Sequence, residues 1–196
     1  MKVVLFGATG MIGQGVLREC LLAPAVTEVL TVGRAPTGKQ HAKLREVTHA
    51  DLGDLTAIEG DLRGADACFF CLGVSSAGMS EDAYRRITYD YTMAAARVFA
   101  ALDPEATFVY VSGAGTDSTE RGRSMWARVK GKTENDVLAL LPNAYMFRPA
   151  TSSRCTASRR GPGCTGRCTS SRSRCTRCCV GCSRSRSLRR RPSAGR

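Results

Sequence analysis

A doubly wound parallel sheet in three α/β/α layers is predicted by three observations. Short apolar runs alternate with helix-length stretches along residues 1–149, the first run leads directly into a glycine-rich turn, and a second run follows at the distance of a βαβ unit. The strand candidates are 3–6, 29–32, 44–47, 67–72, 107–111 and 144–147. Helices are expected between them at 11–23, 54–63, 81–102 and 126–141. Some 149 residues suffice for one domain.

The first element pair carries the most chemistry. Val3-Val4-Leu5-Phe6 is followed at once by Gly7-Ala8-Thr9-Gly10-Met11-Ile12-Gly13, and Val16, Leu17, Leu21 and Leu22 continue as a helix. Glycine permits the tight turn, lets the backbone approach a pyrophosphate, and lets the helix pack close to the strand. The N–H groups of the helix start then face the anion. A purely structural turn is the alternative. The accompanying strand, helix and second apolar run 29–32 favour a dinucleotide, and hence the Rossmann fold.

The end of the second strand distinguishes the two nicotinamide dinucleotides. An acidic residue about 20 positions beyond the loop would hydrogen-bond the adenosine 2′-hydroxyl. This sequence has Gly33-Arg34 there instead. A guanidinium cannot accept a hydroxyl proton but pairs with a 2′-phosphate, so NADP(H) is expected in preference to NAD(H). Lys39 and Lys43 lie nearby and would add positive potential or serve only as surface charge.

Composition changes abruptly after Pro149. Residues 1–149 hold 16 Lys+Arg against 17 Asp+Glu, whereas 150–196 hold 13 arginines, no lysine, no acidic residue and no aromatic. The net charge of +12 is therefore a property of the tail. A basic arm for nucleic acid is one reading, but no aromatics interleave for stacking. Metal thiolates at Cys175-x-x-Cys178-Cys179-x-x-Cys182 are a second, but histidine and apolar support are missing. Neither a nucleic-acid partner nor a metal is expected.

Out-of-frame translation is the third reading. If one base was lost near codon 150, each TGC or TGT cysteine codon marks an original codon ending in TG, which encodes Leu, Val or Met. Cys175, Cys178, Cys179 and Cys182 then fall at i, i+3, i+4 and i+7, the apolar stripe of a helix, and Cys164 and Cys168 at i and i+4. Whatever its origin, a segment this poor in large apolar groups cannot offset a backbone ordering cost of roughly 1–2 kcal/mol per residue. Disorder is expected over 150–196.

Met1 abuts the first strand, leaving no leader, and no apolar run approaches the roughly 20 residues of a membrane span. A soluble cytoplasmic protein without a membrane partner is the expectation. Cys68 and Cys71 would lie on opposite faces of one strand, which favours a buried structural role over a redox pair.

Gly7-Ala-Thr-Gly-x-x-Gly13, Cys71-Leu72-Gly73, Tyr110-Val-Ser112-Gly, Lys130-Gly-Lys-x-Glu134 and Phe147-Arg-Pro149 together resemble the atypical short-chain dehydrogenase/reductases. Within these the sequence is similar to the oxidoreductases related to the Tat-interacting protein and to epimerase/dehydratase-like proteins. The resemblance covers 1–149 and ends where relatives continue into a substrate-binding lobe. It implies cofactor contacts at Gly7, Thr9, Gly10, Met11, Ile12 and Gly13, at Arg34, at Leu72 and Gly73, and at Lys130. It implies Ser112 and Lys130 as catalytic residues acting with a tyrosine, for an unidentified small-molecule substrate. The tyrosine position is Trp126, whose indole donates a hydrogen bond but supplies no proton at neutral pH. The resemblance thus implies an NADP(H)-dependent oxidoreductase with impaired catalysis. A non-catalytic NADP(H)-sensing module acting through a protein partner is the alternative. Tyr84, Tyr89 and Tyr91 are candidate replacement hydroxyls.

Overall fold

A computed structural model describes residues 1–150. Its strands are β1 Lys2–Phe6, β2 Glu28–Gly33, β3 Leu44–Thr48, β4 Ala67–Phe70, β5 Thr107–Val111 and β6 Ala144–Phe147, all parallel and ordered β3-β2-β1-β4-β5-β6. The chain begins at the centre, works outward to β3, and crosses back to β4. The order reverses between β1 and β4, and in open α/β sheets ligands bind at the carboxyl ends of the strands beside such a reversal.

The central strands are near-continuous apolar runs because both faces are covered. On one face Val3, Leu5 and Val29 pack with Leu17 and Cys20 of α1, Met11–Leu22. On the other, Val4, Phe6, Leu30, Phe70 and Phe108 pack under α2 (Glu59–Leu62), α4 (Tyr91–Leu102) and α5 (Met125–Leu140). Phe6, Phe70 and Phe108 form a row across three strands, with centroids 5.2 and 6.3 Å apart, and Phe99 of α4 meets Phe108 edge-on at 5.9 Å. Such pairs add about 0.5–1.5 kcal/mol each beyond burial. The α1 side is less completely covered at β4 to β6, where Phe69, Val109 and Tyr145 are half-buried and Phe147 is 45% exposed.

Three elements depart from the sequence pattern. The helix expected at 54–63 shrinks to a 3₁₀ turn, Thr56–Ile58, and the four residues of α2. The Asp54 carboxylate accepts from the Thr56 N–H at 3.0 Å and its hydroxyl at 2.7 Å, a local alternative to helix bonding. The helix expected at 81–102 contains a π turn, Arg86–Asp90, between α3 (Glu81–Arg85) and α4. Finally, β4 ends at Phe70 rather than residue 72. At that point the β1 turn crowds it: a Cβ on Gly7, whose φ is +77°, would lie 2.7 Å from both the Cys71 carbonyl carbon and the Leu72 nitrogen.

Cys68 belongs to one core and Cys71 packs against the other, so the pair is divided by the sheet. Among the described residues no helix is long and apolar enough to cross a membrane, and no three His, Cys, Asp or Glu side chains form a metal-binding group. The expected disorder, the helical cysteine stripe and the Cys175–Cys182 spacing lie outside the described residues.

Candidate dinucleotide site

The glycine loop owes its shape to two contacts that no side chain could share. A Cβ on Gly13 would stand 2.1 Å from the Gly7 carbonyl oxygen, and one on Gly7 would strike the backbone after β4. The Gly10 N–H donates to the Gly7 carbonyl at 3.0 Å, and helical bonding begins only with Gln14 N–H to the Gly10 carbonyl at 2.9 Å. The N–H groups of Met11, Ile12 and Gly13 are consequently left without partners among the described residues. Gly10 offers no side-chain cap, and no acidic side chain occupies the first turn. Uncapped amides at a positive helix end, reached by a backbone that only glycine can follow, fit a pyrophosphate.

A cavity of about 150 Å³ adjoins this loop. Gly7, Ala8 and Thr9 line it from the loop, Thr31 to Thr37 from the end of β2, Glu46 and Val47 from β3, and Leu52 and Leu72 complete it. The structure thus brings Gly7, Thr9, Arg34 and Leu72 into one cavity. Arg34 is exposed and forms no ion pair among the described residues. Gly10, Met11, Ile12 and Gly13 lie beside the cavity in the loop and first turn, while exposed Gly73 lies outside its lining. Lys43 turns away, its ammonium donating to the Ala23 carbonyl at 2.9 Å.

Ser112 and Lys130 meet at the carboxyl end of β5, apart from that cavity. The Lys130 ammonium donates to the Ser112 backbone carbonyl at 2.6 Å, and burial holds its pKa below the ordinary lysine value against the opposing charge of Glu134. The Ser112 hydroxyl, 6% exposed, donates to the Glu134 carboxylate at 2.5 Å. Glu134 is itself 2% exposed and accepts from Arg148, whose Nε lies 2.9 and 3.1 Å from its two oxygens and whose Nη2 bonds Oε2. Trp126, one turn before Lys130 on α5, lies half-buried with its ring against Gly115, φ +87°.

Glu46 and the Glu134–Arg148 pair escaped sequence reasoning. Glu46 carried a usable signal, since Leu44 and Glu46 are two apart on a strand next to β2. The partnership of Glu134 with Arg148 spans α5 and β6 and has no local signature. The candidate replacement tyrosines are buried or held by other partners. Tyr84 is 2% exposed, the Tyr89 hydroxyl donates to Asp136 at 2.6 Å, and the Tyr91 ring borders Gly53. Burial pushes the Cys71 thiol up to about 12, so it is no thiolate at neutral pH.

Strand order, glycine turn and uncapped helix start define a Rossmann protein whose turn is shaped for a pyrophosphate. The NAD dependent epimerase/dehydratase family model matches residues 3–122, and the chain belongs to that family. It is 28% identical over 152 residues to the mitochondrial protein FMP52-1 of Scheffersomyces stipitis, covering 76% of this chain and 66% of that protein. It is 30% identical over 156 residues to the mitochondrial protein fmp52 of Emericella nidulans, covering 76% and 65%. The match therefore spans just under two thirds of these relatives' length. The UDP-glucuronic acid 4-epimerase of Bacillus cereus, solved with NAD, shares the fold with a TM-score of 0.60 at 16% identity, over 76% of this chain and 56% of that one.

The cytoplasmic expectation is overturned by these relatives, since the FMP52 proteins are mitochondrial. That expectation rests on Met1 lying next to the first strand, and a compartment address is read by receptors rather than by the folded domain.

Proposed function

We propose that this protein binds NADP(H) and is a short-chain-type oxidoreductase, or epimerase/dehydratase-like protein, with an impaired proton-transfer step. The observation that carries this reading is Arg34, an unpaired guanidinium in the same cavity as the glycine loop. The free amides of Met11, Ile12 and Gly13 would hold the pyrophosphate, with Gly7, Thr9 and Gly10 shaping the turn. Arg34 would pair with the 2′-phosphate, and Leu72 and Gly73 would border the path from adenosine to nicotinamide. Lys130, already hydrogen-bonded at the end of β5, would donate to the nicotinamide ribose.

Bound there, a nicotinamide gives or takes a hydride. The chain's part is then to bind, orient and move a proton, and the last task is compromised. Trp126 has none to give, and the Ser112 hydroxyl is committed to Glu134. Positioned proton transfer contributes about 10²–10⁴ in rate. These same two observations favour the second reading, a non-catalytic NADP(H) sensor acting through a protein partner.

Trp126 is the one tryptophan and sits beside Lys130, so its fluorescence reports on binding directly. Saturable change with NADPH at lower concentration than with NADH is expected, and no saturable change with either sinks the proposal. Steady NADPH oxidation by a panel of aldehydes, ketones and quinones selects the enzyme. Binding without turnover selects the sensor.

A further inference from the structure

The cavity that holds Arg34 also holds a carboxylate. Glu46 stands on β3 in register with Thr31 of β2, and both line the cavity. Its Oε1 accepts from the Thr37 N–H at 2.8 Å and from the Thr37 hydroxyl, which fixes the group in place. Thr37 ends the segment that begins at Arg34, so Glu46 also fastens the loop carrying the guanidinium. Its other oxygen has no partner among the described residues. The adjacent Arg45 is spent on Asp61 at 2.5 Å, Lys43 is turned toward Ala23, and Arg34 forms no ion pair with Glu46. One fixed negative charge and one positive charge without an ion pair among the described residues therefore share one cavity.

Resting on the dinucleotide reading above, we infer that Glu46 is a specificity-determining residue that opposes Arg34 and narrows the preference for NADPH over NADH. A 2′-phosphate brings up to two negative charges into this cavity and is repelled by Glu46 while attracted by Arg34. A 2′-hydroxyl is neutral and feels little of either. The site consequently accepts both dinucleotides, with the phosphorylated one ahead by less than Arg34 alone would set.

The test is titration of the full-length chain with NADPH and NADH, followed by Trp126 fluorescence, for the wild type, Glu46→Gln and Glu46→Ser. Gln keeps an acceptor for the Thr37 N–H, and circular dichroism checks the fold; Ser supplies the readout if Gln does not fold. Removing one like charge from the same cavity in partly screened surroundings should tighten NADPH roughly three- to ten-fold and leave NADH within about two-fold. An unchanged NADPH/NADH ratio overturns the inference. So does loss of NADH affinity alone, which would make Glu46 an acceptor for the ribose hydroxyl. A wild type that binds neither ligand defeats the dinucleotide reading instead, a distinguishable failure.

Discussion

The two ends of the strand crevice are built on opposite plans. At β1 and β2 the polar groups are left open among the described residues: three helix-start amides have no cap, Arg34 forms no ion pair, and Glu46 keeps one oxygen unpartnered. At β5 and β6 they are closed on one another, as Lys130 bonds the Ser112 carbonyl, the Ser112 hydroxyl bonds Glu134, and Glu134 bonds Arg148. Unsatisfied donors on a rigid turn are where a ligand gains free energy. A saturated network gains little from a ligand but joins α5, β5 and β6. On the dinucleotide reading the first end is left open for a ligand, while the second ties its elements together and would have to give up internal bonds to meet one.

Backbone contacts should break either end most severely. Gly13→Ala sets a Cβ against the Gly7 carbonyl, and Gly131→Ala sets one 1.7 Å from the Asp117 carbonyl oxygen. Each should cost roughly 3 kcal/mol or more, because backbone on both sides must move. In thermal melts with and without NADPH, the Gly13 variant should lose the ligand-induced rise in Tm. The Gly131 variant should show mainly a lower Tm of the free protein.

Next in size is Arg148→Met, which strands the Glu134 carboxylate at 3% side-chain exposure. Removing one partner of a buried pair costs about 3 kcal/mol, measurable by urea denaturation, and a loss below 1 kcal/mol would dissolve the contrast drawn here. Arg34→Ala should act in the reverse sense. It should weaken NADPH roughly ten-fold, about 1.4 kcal/mol, with NADH binding and urea midpoint unchanged. Equal loss for both dinucleotides would show that Arg34 does not read the 2′ position.

The smallest effect concerns Asp117 in the loop between β5 and α5. The Thr119 hydroxyl at 2.6 Å, then the Gly122 N–H at 2.6 Å, hold this half-buried residue's carboxyl below its ordinary pKa. A depressed folded value means stability present above the unfolded value of about 3.9 and lost as pH falls through the folded one. Asp117→Asn should therefore lower Tm slightly at pH 7. The gap from wild type should close as pH drops below about 3.9; a constant gap would assign the effect to packing.

The glycine loop and the strands were legible because their signals are local. Consecutive apolar residues in 3–6 and 29–32 reflect burial on both faces, and glycine at 13 reflects its contact with Gly7 six residues earlier, whereas the crowding of Gly7 by Cys71 and Leu72 is long-range. Local capping delayed the start of the 54–63 helix: Asp54 beside Thr56 is a visible competitor for helix bonding, outweighed in the periodicity by Ile58 and Leu62. The π turn at Arg86–Asp90 was invisible, since a one-residue insertion leaves the composition unchanged. Arg34 could be read as a position, but its freedom from any ion pair could not.

By itself the sequence determined the class of fold, the position of the glycine turn, and the tryptophan at position 126 where the family resemblance expects a tyrosine, since each depends on residue type at short range. Tertiary structure alone decided which charges are satisfied. Arg45 finds Asp61 sixteen residues away, Glu134 finds Arg148 across α5 and β6, and Glu46 meets Thr37 beside Arg34. Those pairings depend on how strands lie in the sheet rather than on their order in the chain. They are what separate an open recognition end from a closed structural one.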